Sequence, residues 1–141
     1  MAERTPADDA AAPGAPAFAT LAPGAGFRTT APDGAAVEVL LALRGGSMAR
    51  FTLAPGQVTD PVTHRTVEEI WLVLAGRGEI VRRQGARHER TALVPGTCVS
   101  IPLGTAFRFR AAPDAGLEIV CVTMPPWPGP DEAVPVPDLE A

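Results

Sequence analysis

Glycine and proline cut the middle of this chain into eight short candidate strands at nearly even spacing. The runs cover residues 37–43, 47–53, 67–75, 79–84, 87–93, 98–101, 106–111 and 117–124. Between them stand Gly45-Gly46, Pro55-Gly56, 76–78, Gly85, Pro95-Gly96 and 113–116. Proline at these points presets the backbone for a turn, and glycine permits the positive φ that tight turns need. Eight short strands separated in this way predict an all-β sandwich or barrel. No substantial helix and no internal repeat is visible.

The chain has 141 residues, 46% of them hydrophobic, which suits one domain with a real core. Residues 1–26 are mostly Ala, Pro and Gly, with neither helical nor strand periodicity. Such a segment buries too little apolar area to offset its ordering entropy, so a flexible tail is expected. Residues 125–141 carry Pro125, Pro126, Pro128, Pro130, Pro135 and Pro137 and are read as a second tail without regular structure. Its Met124-Pro125-Pro126-Trp127-Pro128 start could pack, because tryptophan beside prolines often caps an apolar patch. The expected barrel occupies residues 27–124.

A net charge of −4 argues against a nucleic-acid partner, which calls for a basic face. No run reaches the roughly 18 apolar residues of a membrane span. The alanine-rich start is interrupted by Asp8 and Asp9 and does not read as a signal peptide, so a cytoplasmic location is expected. Cys98 and Cys121 sit in apolar runs and are read as two buried thiols in a reducing compartment, with a disulfide as the alternative. The chain has no Lys and no Tyr, which excludes a Schiff-base lysine and a tyrosine acid or base. Its only histidines are His64 and His88.

Two segments carry the chemistry. The first runs from Gly56 through Val62-Thr63-His64 and Glu69 to Gly76. The second is Gly96-Thr97-Cys98-Val99-Ser100-Ile101-Pro102-Leu103-Gly104, followed by Thr105-Ala106-Phe107. Their spacing resembles the two signatures of the cupin superfamily, G-x5-H-x-H-x4-E-x6-G and G-x5-P-x-G-x2-H-x3-N. The run Glu68-Glu69-Ile70-Trp71-Leu72-Val73-Leu74-Ala75-Gly76-Arg77-Gly78 is also similar to a cupin strand. The resemblance covers roughly residues 40–123 and implies a single-domain jelly-roll β-barrel. In the family, three histidines and the glutamate usually hold one metal ion. Here His64 and Glu69 match, while Val62 and Phe107 stand at the other two histidine positions. Gly76 and Gly78 are expected to take positive φ in a tight hairpin.

Alternate residues of a strand share a face. With Glu69 inward, Trp71 and Val73 also point in, and Ile70, Leu72 and Leu74 point out. An outward apolar row needs cover, and a homodimer is the economical source. Phe107 and Phe109 alternate with Arg108 and Arg110, and the phenylalanines are placed inside. A one-residue slip would instead send the arginines in and make an anion pocket. The expected pocket holds Val62, Trp71, Val73, Phe107 and Phe109 around His64 and Glu69, with Arg65 at the mouth to steer a carboxylate. Asp60 orients His64 or shapes the turn before Pro61. Arg82, Arg83, Arg87 and Arg90 read as a solvated basic hairpin, and His88 within it as solvent-facing.

A catalytic metal needs three protein ligands, and His64 with Glu69 make two. No cofactor is therefore expected. A divalent ion (Zn, Fe, Mn or Ni) on His64 and Glu69 stays open, with cysteine, His88, water or substrate completing it. The leading expectation is a cupin that binds a small apolar organic molecule and catalyses metal-independent isomerisation, cyclisation or another proton transfer. In it His64 is general base and Glu69 acid or orienting carboxylate, the latter with its pKa raised by desolvation. Some cupin-like sugar epimerases, with a histidine-centred dyad, offer precedent by resemblance. The alternatives are a non-catalytic binding or sensing cupin and a metal-dependent isomerase or dioxygenase with non-standard ligands.

Overall fold

The computed structural model describes residues 12–139, so the first part of the expected N-terminal tail lies outside the described residues. Eleven strands follow in chain order: β1 (Phe27–Thr30), β2 (Ala36–Leu43), β3 (Gly46–Leu53), β4 (Val62–His64), β5 (Glu68–Gly76), β6 (Gly78–Gln84), β7 (Arg87–Leu93), β8 (Cys98–Ile101), β9 (Ala106–Ala111), β10 (Leu117–Met124) and β11 (Ala133–Pro135). One sheet has the order β1-β2-β3-β10-β5-β8 and the other β11-β4-β9-β6-β7. From β3 onward the chain switches sheet at every connection except the β6–β7 hairpin and, after β10, only to add β11. This is the jelly-roll β-barrel.

The eight predicted runs are all strands. The other three strands lacked a periodic apolar signal. β4 is only Val-Thr-His, and β1 is fully exposed. β11 lies in the stretch read as free of regular structure, and there the structure corrects the sequence. Ala133–Pro135 pairs antiparallel with β4, after a 3-10 turn at Pro130–Glu132. A proline cannot donate to a ladder but is tolerated on an edge, and β11 is the outermost strand of its sheet.

Between the sheets, Leu53, Trp71, Val73, Ile80, Leu93, Ile101, Phe107, Phe109, Leu117 and Ile119 form one core cluster. The outer faces differ. Val81 and Ala106 are covered by Leu139 and Val136. Met48, Ile70, Leu72 and Leu74 remain exposed, and register places Met48 and Ile70 on either side of Val122.

The turn at 76–78 is not a hairpin, because β5 and β6 belong to different sheets. Gly76 has φ +84°, and a Cβ there would sit 1.8 Å from the Gly116 carbonyl oxygen. Gly78, contrary to expectation, does not take positive φ. Its glycine is required by close approach, since a Cβ would lie 2.1 Å from the Arg110 carbonyl oxygen. Both glycines let one sheet fold tightly onto the other. Both cysteines are free thiols and Cys121 is buried, as expected, but Cys98 is exposed. Cys98 pairs with Leu72, and so shares the bare outer face.

Candidate functional site

The pleat of β5 buries Glu69, Trp71 and Val73 and exposes Ile70, Leu72 and Leu74. On β9, Phe107 and Phe109 are 2% and 1% exposed. Arg108 instead donates to the Thr59 carbonyl, and Arg110 pairs with Glu79. Val62 and His64 are the buried ends of β4. Val62 pairs directly with Phe107, so the two positions where the motifs would carry histidine face each other as an apolar pair.

Glu69 is buried and satisfied. The Trp71 indole Nε1 donates to its Oε1 at 3.2 Å, and the Thr123 hydroxyl donates to its Oε2 at 2.6 Å. Both donors follow from the fold: Trp71 lies two residues on along the same face, and Thr123 is the cross-strand partner of Glu69 on β10. Cys121 lies 3.5 Å from the same threonine hydroxyl, and burial, with the charge of Glu69, pushes its thiol well up. It is thus an inert, protonated neighbour.

His64 lives in an apolar clamp. Its ring meets Phe107 edge-on at 5.3 Å and Trp127 at 5.4 Å. The residue is 8% exposed and its Nδ1 has no hydrogen-bond partner. Burial lowers its pKa below the ordinary 6.5, against the opposing charges of Glu69 and Glu132. The imidazole is therefore held neutral at pH 7, the form that accepts a proton.

This donor set does not fit a catalytic metal. Among the described residues, no three His, Cys, Asp or Glu side chains gather to hold an ion. Both oxygens of Glu69 face hydroxyl or indole donors, and the imidazole packs against a phenyl ring. His88 is exposed on β7.

Two carboxylates near the pair were missed in the sequence, Asp33 and, in the stretch after Pro125, Glu132. Glu132 is buried and accepts from the Thr66 and Val67 backbone N–H groups and from the Thr66 hydroxyl. Burial raises its pKa, but those hydrogen bonds and the nearby His64 outweigh it, and the net shift is downward. Arg65, expected at the mouth, is exposed, and its Nε donates to the Asp131 carbonyl at 2.8 Å. Asp60 donates its N–H to the Asp33 carbonyl rather than meeting His64. Asp33 itself is a second perturbed carboxyl. Burial pushes it up to about 6, opposed by the Ala35 N–H and aided by the charges of Glu69 and Asp60. The only sequence signal for these residues was polarity inside proline-rich loops, which more often marks solvent.

A cleft of about 80 Å³ lies elsewhere, lined by Arg82, Gln84, Arg87, Glu89, Ser100 and Thr105 among others. It draws on the hairpin that read as a solvated basic surface.

The cupin domain model matches residues 49–123, more than half of the chain, and the chain belongs to the cupin family. No curated protein matches it by sequence. Among solved structures, the polyketide cyclase RemF from Streptomyces resistomycificus superposes with a TM-score of 0.68 at 18% identity, over 88% of this chain and 89% of that one. The nucleoside dehydratase Pac13 gives 0.67 at 12% identity, over 85% of this chain and 92% of its own. A further structure of Streptomyces Pac13 holds uridine. The capsular polysaccharide assembling protein CapF from Staphylococcus aureus gives 0.67 at 15% identity over 78% of this chain. The chain spans about a third of CapF, 34% of its length. At such identities the likeness is one of fold. No helix among the described residues is long and apolar enough to cross a membrane.

Proposed function

We propose that this cupin binds a small apolar organic molecule inside the barrel and moves a proton on it without a metal, in an isomerisation, cyclisation or related step. The observation that carries the reading is the unpartnered Nδ1 of His64, buried and neutral in an aromatic clamp. A buried polar atom without a partner costs on the order of 1–3 kcal/mol, and a ligand hydroxyl or carbonyl-activated C–H would engage it. His64 acts as general base. Glu69, tied by Trp71 and Thr123, orients the ligand or stabilises the imidazolium. Val62, Trp71, Val73, Phe107 and Phe109 form the apolar wall, and Arg65 keeps the segment after Pro125 in place. The cyclase and dehydratase among the structural neighbours work on a polyketide and a nucleoside, which sets the compounds to try.

The test is turnover of apolar carbonyl compounds and nucleosides by protein treated with EDTA, followed by mass spectrometry. His64→Ala should abolish the conversion while keeping the far-UV spectrum of the folded barrel, and full activity in that variant would refute the role. One observation favours a second reading, a binding or sensing module: both Glu69 oxygens are already occupied, which suits a fixed wall better than a proton shuttle. Ligand-dependent thermal stabilisation without product is its signature. The exposed row of Met48, Ile70, Leu72 and Leu74 supports a homodimer formed across the six-stranded sheet.

A further inference from the structure

The outermost strands of the two sheets, β7 and β8, come together at the cleft described above. Its volume of about 80 Å³ exceeds the roughly 10–15 Å³ that one water needs on this measure. Arg82 spans it from β6. One terminal nitrogen donates to the Ser100 carbonyl at 3.0 Å, and the other donates to the Thr91 hydroxyl at 3.2 Å and lies 3.6 Å from Glu89. Glu89 also holds Arg87 at 2.8 Å, yet the Arg87 side chain is 75% exposed. Each guanidinium carries five N–H donors in a planar fork, and Glu89 uses only part of either. Thr105 is the most deeply buried of the lining residues named here, at 2% exposure, and its hydroxyl has no partner. Two arginines and one glutamate leave the lining with one net positive charge.

We propose that this cleft binds the carboxylate of a small organic acid, with Arg87 and Arg82 supplying the charge and the Thr105 hydroxyl a buried hydrogen bond. A planar guanidinium fork matches two coplanar oxygens. A single net positive charge balances a carboxylate, whereas a phosphate near neutral pH would leave negative charge over. The buried hydroxyl gains the partner it lacks within the protein. The site does not depend on the chemistry assigned to His64.

Acetate and inorganic phosphate, titrated separately into the full chain at constant ionic strength set by chloride, test it through amide chemical shifts. Acetate should shift the amides of Glu89 and Thr105 saturably. Arg87→Gln should weaken that binding about tenfold or more, as expected for losing a charged hydrogen bond. Thr105→Val should weaken it by less, with no loss of thermal stability, since it removes an unpartnered hydroxyl. Arg82 is left intact because it ties β6 to β8. Shifts that grow linearly with acetate, or equal affinity in both variants, would overturn the site. Tighter binding of phosphate than of acetate would overturn its assignment to a carboxylate.

Discussion

Outside the five-stranded sheet, Val81 and Ala106 lie under Leu139 and Val136, whereas outside the six-stranded sheet Met48, Ile70, Leu72 and Leu74 stay 41–46% exposed. Val81 and Ala106 stand among the outward charges Glu79, Arg83, Arg108 and Arg110, whereas Ile70, Leu72 and Leu74 form one apolar row on β5. The cover comes from the stretch after Pro125, whose Val136 and Leu139 pack on Val81 and Ala106. That stretch also holds the site: Trp127 closes on His64, and Glu132 fixes Thr66 and Val67 between β4 and β5. The cover and the clamp on His64 thus come from one stretch, while Met48, Ile70, Leu72 and Leu74 stay bare.

Glu132→Ala should have the largest effect. It strips the acceptor from two backbone N–H groups and one hydroxyl, at a cost of about 2–4 kcal/mol in urea unfolding. A loss near zero would mean that the cover is ornamental. Leu139→Ala on the covered face should cost about 2 kcal/mol, and Leu72→Ala on the bare face under about 0.5 kcal/mol in dilute protein. Equal losses would erase the distinction between the faces.

Trp127→Ala should raise the His64 pKa toward 6.5, read by NMR titration, because burial is what lowers it. The sign for stability follows from that shift. Neutral His64 is favoured by the fold, so its contribution is full above about 6.5 and is lost as pH falls through the lowered value. The variant should lose less between these limits than the parent does. Asp33 works the other way, since its carboxyl is raised to about 6 and its contribution fades as pH rises through that value. Asp33→Asn should be used alongside to separate the two. Smallest of all for the monomer, Leu72→Glu should change stability by under about 0.5 kcal/mol yet abolish self-association in sedimentation. If the parent is itself monomeric at every concentration, the homodimer is refuted.

The strands of the barrel were legible because the turn residues between them act locally, and the inward set of β5 followed from pleat alone. The spacing of His64 and Glu69 put them in the cupin motifs, and Val62 and Phe107 stand where those motifs would carry histidine. What escaped was non-local. Prolines from 125 on argued against order, but Pro135 sits on an edge where its missing N–H costs nothing. Glu132 carried no local signal, because its partners Thr66 and Val67 lie far back in the chain. The carboxylate cleft was hidden in a hairpin whose arginines looked solvated, and only β8 alongside gives Arg82 its backbone partner.

Strand β4 has three residues, with one register pairing to β9 and the rest to β11. All these partners lie more than forty residues away in sequence, so nothing local re-forms the strand once it opens. Elements of this kind open at low free energy, ahead of global unfolding. The amides of Thr63 and Arg65 should therefore exchange with solvent before those of β5 and β10. His64 would then be carried on the first part of the barrel to melt and Glu69 on one of the last, so the base can part from its carboxylate without unfolding the protein.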